Sequence, residues 1–101
     1  LKPGGWILLN MASPPLKMET YKGFRLAWVD ATQIAIDCEL GTRTHPIINT
    51  AMIGAFAKMM NRPPIDTISE AIKAEITTKP THNIRAAQKA YEQVALRGKV
   101  I

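Results

Sequence analysis

Two short apolar runs are the only segments of this sequence that read as β-strands, and they constrain the fold more than any other feature. The first covers residues 6–9, between a Pro-Gly-Gly turn and Asn10, and the second covers residues 24–29. Continuous apolar runs of this length are typical of parallel strands that are covered on both faces. Two such strands do not make a stable sheet by themselves. The sequence therefore predicts an incomplete sheet, completed by upstream or partner strands.

Four helices are predicted around and after these strands, and most have a recognisable start. Asp30 follows the second strand and suits a helix N-cap, with Gly41 near the helix end. Pro46 suits the first turn of the next helix, because its missing N–H costs nothing there. A capping-box pattern runs from Thr67 to Glu70. The predicted elements are strands at about 6–10 and 24–29, and helices at about 31–40, 46–60, 67–77 and 83–96.

The segment 47–60 is apolar nearly all round, which predicts a helix buried on several sides. Together with the strands it predicts an α/β fold: the C-terminal half of a three-layer Rossmann-like domain, with two buried parallel strands followed by helices. Residues 1–101 are interpreted as the C-terminal part of one such domain. The isolated chain is expected to be poorly soluble or molten without its partners.

Composition excludes several function classes. The net charge is +5, from 13 Lys and Arg against 8 Asp and Glu. Nucleic-acid binding is nevertheless not predicted, because the sequence lacks a dense basic run with interleaved aromatic residues. No apolar run reaches the roughly 18 residues that span a membrane. The single cysteine, Cys38, neither forms an internal disulfide nor supplies a cluster, and it favours the cytoplasm. His45 and His82 lack metal-ligand spacing, so no metal site is predicted.

Several segments together resemble one protein family. Residues 29–35 read Val-Asp-Ala-Thr-Gln-Ile-Ala, and residues 46–58 read Pro-Ile-Ile-Asn-Thr-Ala-Met-Ile-Gly-Ala-Phe-Ala-Lys. Ser-Glu-Ala-Ile at 69–72 and an Asn-to-Tyr helix at 83–91 follow in order. The chain resembles the gamma subunit, or gamma domain, of 2-oxoacid:ferredoxin oxidoreductases over about residues 1–95. The glycine-rich strand–turn–helix that begins this family's module has no match here.

The resemblance implies a non-catalytic gamma-type module within a larger enzyme. Such enzymes oxidatively decarboxylate a 2-oxoacid, such as pyruvate, ketoisovalerate or 2-oxoglutarate, to acyl-CoA. The complex is expected to use thiamine diphosphate, Mg²⁺, [4Fe-4S] clusters and coenzyme A. Alpha-, beta- and delta-type subunits are the expected partners, with ferredoxin reached through other subunits. The chain itself is expected to hold no catalytic residue and no metal.

Asn49 and Thr50 are the candidate binding residues. They lie in the first turn of the apolar helix, where free backbone N–H groups and the helix dipole favour an anion such as a phosphate of coenzyme A. The alternative is that they only satisfy the helix terminus or a neighbouring loop. Lys2, Lys17 and Lys22 flank the strand and loop ends. They either add positive charge for such a phosphate or are solvated surface residues, and the pattern favours the second role.

Two other functions remain open from the sequence. A Leu-Lys-Pro-Gly-Gly turn before an apolar strand also occurs in S-adenosylmethionine-dependent methyltransferases. In those enzymes the late strands form an antiparallel hairpin, whereas this chain is predicted to end in three successive helices. A small stand-alone binding module is the other alternative, and it requires that the chain folds alone.

Overall fold

The computed structural model describes residues 4–100 and has an α/β fold. Its elements are β1 (Trp6–Asn10), a 3₁₀ turn (Met18–Tyr21), β2 (Arg25–Val29), α1 (Ala31–Asp37), α2 (Asn49–Met60), α3 (Ile65–Glu75), α4 (Pro80–Gln93) and β3 (Ala95–Lys99). β1 and β2 pair in parallel, with Trp6 opposite Arg25 and Asn10 opposite Val29. The predicted parallel pair is therefore present, with β1 at one edge of the sheet.

The third strand corrects the prediction that the last helix continues to residue 96. α4 ends at Gln93, where the N–H of Val94 still bonds to the Ala90 carbonyl, and the chain then becomes extended. Residues 95–99 pair antiparallel with β2, placing Leu96 opposite Ala27. Ala95 and Leu96 have no marked preference for β-strands, so residues 95–99 are extended because they pair with the free edge of β2. β2 and β3 are not a hairpin, because four helices separate them, and the methyltransferase arrangement is absent from residues 4–100.

The first helix ends earlier than expected. Its last residue is Asp37, and the left-handed residue that follows the helix end is Glu39, with φ 58°. Gly41 also has a positive φ, of 77°, but it lies beyond this ending. The N–H of Leu40 then bonds back to the Ala35 carbonyl, as in a Schellman-type ending. Gly41 instead forms a short bridge with Pro46, and a Cβ at Gly41 would clash with the His45 carbonyl.

The three later helices all start at positions other than those predicted, and α4 begins at Pro80 rather than 83. α2 begins at Asn49 rather than 46, because Pro46 is held in the bridge to Gly41. α3 begins at Ile65, directly after Pro64, so Thr67 lies inside the first turn and caps nothing. The ring of Pro64 fixes its φ, here −58° with an extended ψ of 149°, and the helix starts directly after it, two residues ahead of the capping-box pattern.

Small residues let α2 and α4 pack closely over one face of the sheet. A Cβ at Gly54 of α2 would clash with the backbone carbonyl of Ala87 in α4. The core cluster joins Ala27 and Val29 of β2 to buried residues of three helices: Ala31, Ile34, Ala35, Ala51, Ala55, Met59, Ala86 and Ala90. This close helix pair brings the start of α2 next to the start of α4.

Candidate ligand-binding cavity at two helix N-termini

A cavity of about 330 Å³ opens where α2 and α4 begin. Its wall also includes the connection after α1 and the end of α3. The lining residues are Leu40, Gly41, Ile47, Asn49, Thr50, Ile76, Thr78, Lys79 and Asn83. Both sequence-predicted site residues, Asn49 and Thr50, are therefore brought to one cavity.

A buried polar pair, Thr50 and Asn83, forms the inner wall. Thr50 is 4% exposed and Asn83 8% exposed. The Thr50 hydroxyl donates to Asn83 Oδ1 at 2.9 Å. Asn83 Nδ2 donates in turn to the carbonyls of Thr78, at 3.2 Å, and of Lys79, at 2.9 Å. A buried amide must be satisfied in this way, so the pair fixes the start of α4 against α2.

The turn before α4 is held by polar contacts to the end of α1. Lys79 has φ 49°, in the left-handed region, and its Nζ donates to the Glu39 carbonyl at 2.9 Å. His82 Nδ1 lies 2.8 Å from the Cys38 carbonyl, and because a carbonyl only accepts, Nδ1 carries the proton. These contacts place the Lys79 ammonium beside the cavity.

The electrostatics of the cavity favour an anion. Neither α2 nor α4 has a side-chain hydrogen bond at its N-cap. The N–H groups of Asn49, Thr50 and Ala51 have no intrahelical acceptor, since the first bond of α2 joins the Met52 N–H to Ile48 O. An adjoining cavity of about 370 Å³ shares Lys79 and adds Arg43. The two cavities together are lined by two cations, Lys79 and Arg43, and one carboxylate, Glu39, and two positive helix ends face the first of them.

Sequence reasoning missed two of the residues that shape this cavity. Asn83 was expected near the start of the last helix, yet it lies inside α4 and is buried. The sequence feature that could have pointed to Asn83 is Thr50, because a hydroxyl on an otherwise apolar helix needs a buried hydrogen-bond partner. Lys79 carried no distinctive signal. Lys17 and Lys22 are exposed in the segment between β1 and β2, away from the cavity lining, and Lys2 lies outside the described residues.

Cys38 lies in the core rather than in a reactive site. It is 1% exposed, and burial raises the pKa of its thiol above the ordinary value, although the charges of Lys89 and Arg85 partly offset this. Among residues 4–100, no group of three or more His, Cys, Asp or Glu side chains is placed to hold a metal ion. In that same part of the chain no helix combines the length and apolarity needed to cross a bilayer.

Comparison with known proteins gives one consistent family. A family model described as pyruvate ferredoxin/flavodoxin oxidoreductase matches residues 1–93. The chain is 35% identical over 98 residues to the pyruvate synthase subunit PorC of Methanocaldococcus jannaschii, covering 93% of this chain and 49% of that protein. It is 39% identical over 97 residues to the pyruvate/ketoisovalerate oxidoreductases common subunit gamma of Pyrococcus furiosus, covering 92% and 50%.

A solved structure agrees with these relatives. The chain superposes on the pyruvate oxidoreductase subunit PORC of Thermotoga maritima with a TM-score of 0.76 and 27% identity, covering 95% of this chain and 54% of that one. The chain thus spans about half the length of the curated relatives it matches.

Proposed function

The chain belongs to the pyruvate ferredoxin/flavodoxin oxidoreductase family, and we propose from this that it is the C-terminal part of a gamma-type domain in a 2-oxoacid oxidoreductase. The complex would oxidatively decarboxylate a 2-oxoacid to acyl-CoA and pass the electrons to ferredoxin. The match over residues 1–93 carries this proposal. Catalysis itself is assigned to other subunits.

The proposed cofactors of the complex are thiamine diphosphate, Mg²⁺, [4Fe-4S] clusters and coenzyme A. A cluster does not fit this chain, because cluster ligation needs about four thiolates and the sequence has one cysteine, buried with a raised pKa. The clusters and the thiamine cofactor are therefore assigned to alpha-, beta- or delta-type partners. The free thiol of Cys38 is consistent with the cytoplasm as the proposed compartment.

We further propose that the cavity at Asn49 and Thr50 lies beside bound coenzyme A and holds an anionic group of it. Asn49 is exposed at the cavity, with the free N–H groups of the first turn of α2 behind it. The single hydroxyl proton of Thr50 is donated to Asn83 Oδ1 and is therefore not available to an anion, so we assign Thr50 the role of positioning this turn. Lys79 supplies the nearest positive charge.

The test replaces Asn49 by aspartate in the assembled complex. A negative charge at a helix start stabilises the helix by about 0.3–1 kcal/mol but repels an anion at the same place. We expect the KM for coenzyme A to rise by about ten-fold. The KM for the 2-oxoacid should be unchanged, and the thermal stability of the complex should not decrease. Lys79→Ala should act in the same direction.

Lys73→Ala is the matched control, because Lys73 is exposed on α3 and does not line the cavity. It should leave both KM values unchanged. An unchanged KM for coenzyme A in both Asn49→Asp and Lys79→Ala would reject the cavity as a coenzyme A site. A chain that fails to co-purify with the other subunits would instead reject its place in the complex.

A further inference from the structure

A row of three side chains crosses the sheet at the end of its helix-covered face. Trp6 of β1 lies opposite Arg25 of β2, and Arg25 in turn lies opposite Lys99 of β3. Directly opposite residues of neighbouring strands point to the same face. Ala27, two residues after Arg25, belongs to the core cluster and is buried, whereas Arg25 and Lys99 are exposed. We call Trp6, Arg25 and Lys99 the cationic row.

Lys99 reaches this face through a β-bulge. Leu26 pairs with Arg97 and Arg25 pairs with Lys99, so Gly98 is an extra residue on β3. Side chains of a regular strand alternate between the two faces, and without the extra residue Lys99 would point away from the face of Arg25. Bulges are enriched where they re-aim a side chain next to a functional site. The irregular pairing therefore places two cations side by side.

The sheet itself supplies no counter-charge to these two cations. Like charges that lie opposite each other on neighbouring strands lower the stability of a sheet. The three strands read WILLN, RLAWV and ALRGK, so none of them carries an acidic residue. The acidic residue nearest to Arg25 in the sequence is Asp30, whose carboxylate already caps α1. An anion from outside would therefore relieve the repulsion between Arg25 and Lys99.

The guanidinium of Arg25 is held in position by the protein. Its Nε donates to the Gly4 carbonyl at 2.9 Å. Its Cζ lies 5.1 Å from the centre of the Trp6 ring, within the range of a cation–π contact. The bond to Gly4 uses one of the five guanidinium N–H groups, and the N–H pairs on the Nη atoms form the fork that binds a carboxylate or phosphate through two hydrogen bonds. An arginine that is already fixed loses less side-chain freedom on binding, so this arrangement suits recognition of an anion.

The surroundings of the cationic row favour an acidic polypeptide over a small anion. Small-molecule sites are concave, but Arg25 and Lys99 line neither the cavities beside Lys79 nor the groove between α2 and α3. Leu96 lies opposite Ala27 on the same face and is 44% exposed. An arginine next to an aromatic ring and an exposed apolar side chain is typical of surfaces that bind proteins.

We propose that the cationic row binds an acidic segment of a partner protein that docks reversibly, with one carboxylate seated between Arg25 and Lys99. The Arg25 fork holds both oxygens of the carboxylate, and the Lys99 ammonium supplies a second positive charge. An apolar side chain of the same segment covers Leu96. Small charged interfaces are typical of transient association and weaken as salt is added. The coenzyme A cavity plays no part in this docking, so the two proposals fail separately.

The first test titrates the protein, purified with the subunits that accompany it, with a fluorescent Glu-rich peptide that contains one Leu. We expect binding by fluorescence anisotropy. Arg25→Gln and Arg25→Lys should each weaken it at least five-fold, the second because lysine keeps the charge but lacks the fork. Lys73→Gln, exposed on α3, is the matched control and should change the affinity less than two-fold. Absence of binding, or equal weakening by Lys73→Gln, would overturn the proposal.

Lys99→Glu separates binding from folding. It replaces a like-charge pair by an opposite-charge pair across β2 and β3, so we expect the Tm to rise by a degree or more. Peptide binding should nevertheless weaken at least ten-fold. A substitution that acted only by disturbing the sheet would lower the Tm as well. Unchanged peptide binding in Lys99→Glu would overturn the proposal whatever the Tm.

Competition identifies the class of ligand. Inorganic pyrophosphate or a single-stranded oligonucleotide that displaces the labelled peptide at a lower concentration than the unlabelled peptide does would make the cationic row a phosphate site and overturn the proposal. We expect the oligonucleotide to compete weakly, because base stacking needs a free aromatic face and Arg25 covers one face of Trp6.

Carbodiimide cross-linking followed by mass spectrometry checks that the row is accessible. With the peptide present, Lys99 should couple to one of the peptide's carboxylates, and Arg25→Gln should lower the yield at least five-fold. Coupling of Lys99 to a carboxylate of an accompanying subunit, in the absence of the peptide, would show that the row is already covered in the assembly and would overturn reversible docking.

Discussion

At the scale of single residues, the hydrogen bond between Thr50 and Asn83 is the most consequential contact in the molecule. It joins two residues that are 33 positions apart and both more than nine-tenths buried. Asn83 Oδ1 accepts the hydrogen bond of the Thr50 hydroxyl, while Asn83 Nδ2 donates to the Thr78 and Lys79 carbonyls in the turn before α4. The bond therefore links the start of α2 to the start of α4 at the cavity.

Thr50→Val should lower the free energy of unfolding by about 1–3 kcal/mol, because it keeps the shape but leaves Asn83 Oδ1 buried without a donor. Urea unfolding followed by circular dichroism measures this. Thr81→Val is the control, since Thr81 is exposed on α4 and should change stability by less than about 0.5 kcal/mol. Equal effects of the two substitutions would contradict the assignment.

Cys38 should make the protein less stable at alkaline pH. Burial raises the pKa of its thiol above the ordinary value of about 9. Between these two pKa values the unfolded chain loses its proton while the folded chain keeps it, so stability falls as the pH rises. Below the ordinary value both states are protonated and the contribution is fully present.

The measurement compares the wild type with Cys38→Ala from pH 8 to pH 10.5. The stability advantage of the wild type should shrink steadily above about pH 9. A constant difference across this range would show that burial does not perturb the thiol.

Residue-level prediction succeeded where the partner is close in the chain. Asp30 was predicted as an N-cap, and its carboxylate accepts from the Gln33 N–H at 3.0 Å. Asn10 was not foreseen, although its Oδ1 accepts from the N–H of Ala31 at 2.9 Å. That bond depends on the parallel pairing of β1 and β2, which brings residues 21 apart together. The Thr50–Asn83 bond was missed for the same reason.

At the scale of elements, the crossing of α2 and α4 depends on Gly54. Helix propensity alone predicts that Gly54→Ala stabilises α2 by about 1 kcal/mol. The added Cβ would, however, clash with the Ala87 carbonyl and lie 2.8 Å from the Ala87 Cα. Backbone atoms of a packed helix give way poorly, so we expect a net loss of about 1–3 kcal/mol.

Thermal and urea unfolding of Gly54→Ala show which effect is larger, because the gain in helix propensity raises the stability and the clash with Ala87 lowers it. A Tm several degrees below that of the wild type is expected. A higher Tm would mean that the two helices can separate without cost.

Element type was predictable for long periodic segments and failed at the ends. All four predicted helices exist, with shifted bounds, since propensity and spacing act locally. β3 was missed because residues 95–99 are extended only through pairing with β2. Pro46 was assigned to a helix start, but its bridge to Gly41 holds it outside α2. These two errors come from tertiary contacts that outweigh a local preference, whereas the early start of α3 follows from the adjacent Pro64.

At the scale of the whole molecule, the prediction of an incomplete α/β unit agrees with two features of residues 4–100: the unpaired outer edge of β1 and the exposed apolar side chains of Ile53, Phe56 and Met60 on α2. The cavity was predictable in part: the first turn of α2 was identified, but Lys79 and Asn83 come from a helix whose position depends on packing.

The protein should bind the dye ANS, because three large apolar side chains on α2, Ile53, Phe56 and Met60, are 45%, 51% and 39% exposed. Phe56→Glu should lower the ANS fluorescence, because it places a charge in the middle of these side chains. Leu16→Ser is a suitable control, since Leu16 is fully exposed but lies outside α2, and it should change the signal little. An ANS signal that Phe56→Glu leaves unchanged would locate the exposed apolar surface elsewhere.

The pairing of β3 with β2 has a kinetic consequence. Trp28 lies opposite Ala95, so the pairing of β2 with β3 is set only after all four helices between these residues have been brought together. Contacts across such a sequence separation cost loop entropy before they contribute stability. Refolding should therefore proceed through a state in which the helices have formed while Trp28 fluorescence is not yet native, and the last step should be the closing of the sheet.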